Sequence, residues 1–123
     1  MAVQRQVGSQ TDAKESAVDL TGKEFHFIAR AADGRFTLPL AGGKAAGVCQ
    51  EGKAAGRHSS IATGNQLKVV AVEAIAPGDE IATDVAGKAV VAGAGDEILG
   101  EALSVAAAGE LAEIEFHPKG LAV

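Results

Sequence analysis

Three glycines recur at one fixed interval. Gly34, Gly47 and Gly56 return as Gly87, Gly100 and Gly109, each 53 positions later. Gly22 joins them as the partner of Gly78 if the first copy carries a three-residue insertion. An interval kept over several landmarks marks a duplicated unit, because a glycine needed for a turn or a close backbone approach is needed again in each copy. The copies span about residues 19–57 and 74–111. Each reads as a small-residue loop, a glycine beside a charge, and strands separated by glycine turns. Two copies are too few for a solenoid. They imply a pseudo-symmetric β unit whose halves pack on each other, bridged by a strand at Gln66–Val72.

The texture within the copies is all-β. Short runs rich in Val, Ile, Phe and Leu alternate with turn sequences about every 8 to 12 residues, the pattern of a sandwich or barrel. Strands are expected at Glu24–Ala31, Arg35–Leu40, Ala45–Glu51, His58–Ala62, Gln66–Val72, Glu80–Thr83, Lys88–Ala92, Ile98–Val105 and Leu111–His117. Asp33-Gly34, Thr63-Gly64-Asn65 and Pro77-Gly78-Asp79 are turns with a mechanism, since Gly supplies positive φ and Pro presets the first turn position. Ala106-Ala107-Ala108 favours helix by propensity, but three residues before a glycine cannot nucleate one.

A chain of 123 residues suits one compact domain carrying an arm. The arm is residues 1–17, polar and without sustained periodicity, and the β domain is residues 18–123. Hydrophobic residues make up 47% of the chain, yet 26 of them are Ala, so the core material is thin. Such a core draws further stability from a second subunit or a partner surface. The net charge is −5, with no cluster of Lys or Arg, which argues against nucleic-acid binding. No apolar run approaches the roughly 18 residues of a membrane span, and the polar N-terminus lacks the apolar stretch of a signal peptide. One cysteine, Cys49, excludes an internal disulfide and points to a reducing cytoplasm as the place of synthesis.

Little in the sequence carries catalytic chemistry. His26, His58 and His117 fall on three separate strands with no metal-ligand spacing. Cys49 and His58 form a nucleophile–base pair only in principle, and a buried structural cysteine is the commoner case. Asp79, Glu80, Asp84, Asp96 and Glu97 read as solvated turn acids. Gly93-Ala94-Gly95 leads into a strand, not into the helix N-terminus that a phosphate loop needs. The expectation is a protein without catalysis, cofactor, metal or small-molecule substrate.

The stretch Gln66–Phe116 resembles the small Ala/Gly-rich capsid decoration (cement) proteins of tailed bacteriophages. The resemblance rests on an ordered set of elements: Ala74–Asp79, Gly87–Val90, Ile98–Leu103 and Ala106–Glu110, with a degenerate version over Asp19–Arg57. It implies a β-clip-like fold by analogy with the lambda-type head protein, and homotrimers on the outer surface of the virion head. There such proteins stabilise contacts between subunits of the major capsid protein. Glu73, Arg57–Ser60 and the His-Pro-Lys-Gly tail depart from that pattern.

With this role in view, Val3, Gln4, Arg5, Gln6 and Val7 are the expected capsid-binding segment, able to add a strand to an exposed edge. Truncating it should weaken capsid binding and leave the fold intact. Phe25, Phe27 and Phe36 are expected in the core or at a trimer contact, with Phe25 and Phe27 on one strand face by parity. The rival reading is a ligand-binding or biotinyl/lipoyl-like carrier module with Lys88 as its modified residue. The absence of Trp and Tyr counts against a sugar-binding form of it.

Overall fold

A computed structural model describes residues 11–122. They form ten strands and two sheets: β1 (Thr11–Glu15), β2 (Phe27–Arg30), β3 (Phe36–Thr37), β4 (Gly47–Glu51), β5 (His58–Ala62), β6 (Gln66–Val70), β7 (Glu80–Thr83), β8 (Ala89–Val91), β9 (Glu97–Ala102) and β10 (Leu111–Leu121). The first sheet runs β1-β5-β4-β2-β3 and the second β6-β10-β9-β7-β8, all antiparallel. The two orders are the same order. Each half therefore repeats one five-strand topology, and the all-β expectation holds. Single parallel bridges, Ser16 to Phe36 and Ala71 to Ala89, pinch the edges of each sheet together without closing a barrel.

The correspondence extends to individual hydrogen bonds. Ala31 and Gly34 bond Arg35 and Ala31 as Asp84 and Gly87 bond Lys88 and Asp84. Gly34 and Gly87 both have φ of +89°, and Gly56 and Gly109 both +86°. Gly47 and Gly100 lie inside strands, where an added Cβ would run into the carbonyl oxygens of Ala62 and Glu115, themselves 53 apart. These glycines are sites of close backbone approach, which is why the interval survives.

Three expectations are corrected. Thr11–Glu15, read as arm, is an edge strand paired with β5 over its whole length. Gln66–Val70 is no bridge between copies, because it is the first strand of the second half and β1 is its equivalent. The partner of Gly78 is Phe25, not Gly22: Phe25 donates to the Cys49 carbonyl as Gly78 donates to that of Ala102. Leu20 and Ile75 occupy equivalent places, bonding Lys53 and Ala106, so the insertion is two residues long and is Thr21-Gly22.

Each half has its own interior. Leu20, Ile28, Phe36, Cys49 and Ile61 fill the first. Their equivalents Ile75, Ile81, Ala89, Ala102 and Ile114 belong to the second, where Ala89 stands for Phe36 and Ala102 for Cys49. The halves meet through the other face of the first sheet. Phe27, Val48 and Ala62 lie in one cross-strand row and pack with Leu67, Val69 and Phe116 of the second half. The rings of Phe27 and Phe116 are 6.4 Å apart between centroids. Burying a side chain such as Phe27 contributes about 1.5–3 kcal/mol.

Candidate functional site

The halves differ most where their outer faces differ. The row Phe27–Val48–Ala62 has as its counterpart Glu80–Glu101–Glu115, in the same register on β7, β9 and β10. Glu80 and Glu115 are exposed and Glu101 is half-buried. Like charges placed directly opposite across strands repel. Among the described residues none of the three forms an ion pair, and the β6 partner of Glu115 is the uncharged Gln66. Between Gln66 and Val123 stand ten Asp or Glu against three Lys, a balance of −7; between Thr11 and Asn65 the balance is +1. The chain is electrically lopsided.

One concavity lies in the first half and another between the halves. A groove of about 650 Å³ runs over Ala29, Leu38, Ala45 and Ala46, with Arg30 and Lys44 at its rim and Leu40 standing 78% exposed. A smaller one of about 170 Å³ sits at the seam, between Phe25 and Gln50 on one side and Gln66 and Lys68 on the other. Among the described residues no three His, Cys, Asp or Glu side chains gather as metal ligands would.

The phenylalanines do not act together. Phe27 is the plug between halves and Phe36 fills the first interior, with the Arg30 guanidinium 5.2 Å from its ring centre. Phe25 is 43% exposed and precedes β2, so it does not share the face of Phe27. Its φ is +64°, a left-handed conformation that costs a bulky residue energy. The cause is a double obligation. Its N–H donates to Cys49 O at 2.9 Å and its C=O accepts from Val70 N–H at 2.8 Å, tying the two sheets together. Parity sets Phe25 beside Phe27 on one strand face; its alignment with Gly78 at the constant interval is the signal that could have placed it in a turn. Val3–Val7 lies outside the described residues.

Among the described residues the titratable groups are spread over the fold. Burial, with the Glu24 and Glu51 charges adding to it, pushes the Cys49 thiol up to about 11, so at neutral pH it stays protonated and unreactive. Glu24 accepts from Gly52 N–H at 2.9 Å, which holds its carboxyl below the usual range. Cys49 pairs with Ile61 in the ladder and His58 with Glu15, so the two are not brought face to face. His58 and His117 are exposed, and His26 rests on the Glu24 carbonyl at 3.0 Å. Lys88 is half-buried, its N–H held by the Asp84 carboxylate at 2.8 Å in the turn before β8.

No protein-family profile matches the chain. No curated protein matches it either. Among solved structures, the N base of head fiber gp8.5 from bacteriophage phi29 superposes with a TM-score of 0.73, covering 94% of this chain and 99% of that one at 16% identity. The two share a fold. The superposition takes in both halves, so the paired arrangement itself is common to the two proteins.

Proposed function

We propose that this chain is a structural protein of a bacteriophage head: a decoration or cement protein that binds the outer capsid surface and stabilises contacts between major capsid protein subunits. The observation that carries this reading is the superposition on the phi29 head-fiber base over nearly the whole of both chains. The ordered elements from Ala74 to Glu110 that resemble decoration proteins support it independently. The working form is a homotrimer on the virion, without catalysis or cofactor. An acidic second half disfavours contact with packaged DNA and leaves protein as the natural partner.

Phe25 is the side chain best suited to anchor on the shell, because it is an exposed aromatic whose backbone is held on both sides, by Cys49 O and by Val70 N–H. The test is co-sedimentation of the protein with expanded empty heads of its phage. Saturable binding at a stoichiometry matching threefold positions is expected. Phe25→Gly should keep the fold, as Gly suits the left-handed position, and bind at least about tenfold more weakly. Failure of the unmodified protein to bind expanded heads would overturn the reading, and a mass shift on Lys88 in purified protein would favour a carrier module instead.

A further inference from the structure

The two halves also differ in what covers one equivalent site. In the second half that site is filled from within the chain. Gly42 of the first half donates its N–H to Thr83 O at 2.8 Å and accepts from Glu97 N–H at 2.9 Å. Along the strands of these two partners, Ala82 is 0% and Leu99 1% exposed. The equivalent positions in the first half, at the same 53-residue interval, are Arg30, Lys44, Ala29 and Ala46. They line the open groove of about 650 Å³, and Ala29 and Ala46 are only half-buried. Among the described residues the Lys44 N–H has no hydrogen-bond partner. Gly87 is packed against the Phe27 carbonyl, whereas its equivalent Gly34 has open space around it.

What fills the site in the second half indicates what fills it in the first. The equivalent of Gly42 is Gly95, and the two have φ of +67° and +87°. Gly95 lies in the turn Gly93–Asp96, of which Gly93, Ala94 and Gly95 are exposed; Asp96 spends its carboxylate on the Gly93 N–H, and the half-buried Glu97 that follows is the acid available to Lys44. The balance of −7 in the second half against +1 in the first gives the same polarity over the whole surface.

We propose that the Gly93–Asp96 turn of one copy docks in the Arg30–Lys44 groove of the next, joining copies head to tail. The inference rests on the reading of this chain as a self-assembling head protein, and it names the surface through which the copies meet. The Gly95 carbonyl accepts from the Lys44 N–H and Glu97 faces the Lys44 ammonium, while Arg30 keeps its ion pair with Asp12 of its own chain. Head-to-tail contacts of this kind close into a ring when the rotation permits.

Sedimentation velocity on the full chain tests it with two charge-reversal variants and the double variant that combines them. Lys44→Glu and Glu97→Lys should each weaken self-association at least about tenfold, because each sets like charges against each other. Combined in one chain, the two changes should restore association, since every contact then regains opposite charges whatever the number of copies. Recovery in the double variant also shows that neither change unfolds the chain. An unmodified chain that stays monomeric, single variants that associate normally, or a double variant that fails to recover would each overturn the docking mode. These outcomes are read without heads, so they leave the head-binding reading to its own test.

Discussion

The first and second halves share a strand order, four pairs of glycines and a set of turn hydrogen bonds, yet they solve different problems with the same outer face. In the first half the row is Phe27–Val48–Ala62 and is covered. In the second it is Glu80–Glu101–Glu115 and is open. A duplicated β unit presents the same face twice, and an apolar face repeated without change would leave one copy exposed and prone to indiscriminate association. Replacing apolar residues by glutamates in one copy ends the stacking within the chain. Both interiors keep the same five positions, so divergence fell on the outer face and spared the residues that specify the fold.

The comparison can be broken most forcefully at its centre. Phe27→Ala should cost about 3–5 kcal/mol in urea unfolding, whereas Ala at its counterpart Glu80 should be nearly neutral. Similar costs at the two positions would mean that Phe27 does not plug the seam. The glycines sharpen the likeness of the halves. Gly47→Ala and Gly100→Ala should each destabilise by about 1–3 kcal/mol or more, and by similar amounts, since each new methyl meets an equivalent carbonyl.

A smaller effect separates the interiors. Ser16 Oγ and Ser59 Oγ share a buried hydrogen bond of 2.6 Å, where the second half has the buried pair Ala71 and Ala112. Ser16→Ala alone should cost about 1 kcal/mol by stranding the Ser59 hydroxyl on one side. Adding Ser59→Ala should cost less than the two single changes summed, because Lys53 N–H is then the only donor left without its acceptor. Smallest of all, Glu101→Gln should stabilise by about 0.2–1 kcal/mol at low salt, with the gain fading in high salt as the repulsion is screened. A gain that ignores salt would show that the row is not under charge strain.

Much of the fold was legible because turn chemistry is local. All nine expected strands are present, and His58–Ala62 and Glu80–Thr83 have the expected bounds. The tenth escaped notice for a physical reason. At the positions where β6 carries Leu67 and Val69, β1 carries Asp12 and Lys14, so no apolar alternation marks it. It is held by its ladder with β5, by the Asp12–Arg30 ion pair and by the buried Ser16. The end of β10 was cut short at His117 because Pro118 donates no backbone N–H; the strand continues to Leu121 by slipping register between Phe116 and Gly120. The contrast between the outer faces was not legible. Phe27, Val48 and Ala62 are far apart in sequence, and only the register of three strands sets them in a row opposite in character to Glu80, Glu101 and Glu115. The backbone of Phe25 was hidden by Gly22, which offered a nearer and plausible partner for Gly78.

The measurement that bears most directly on the account is denaturant unfolding of a reciprocal exchange at the middle of the two rows, Val48→Glu and Glu101→Val. The first change buries an unpaired carboxylate against Leu67 and the Phe27–Phe116 contact, and should cost about 3 kcal/mol or more. The second adds an apolar group to an open face and should leave stability unchanged or raise it by up to about 1 kcal/mol. Equal losses in both variants, or tolerance of Val48→Glu, would contradict the claim that one repeated face is the seam in the first half and free in the second.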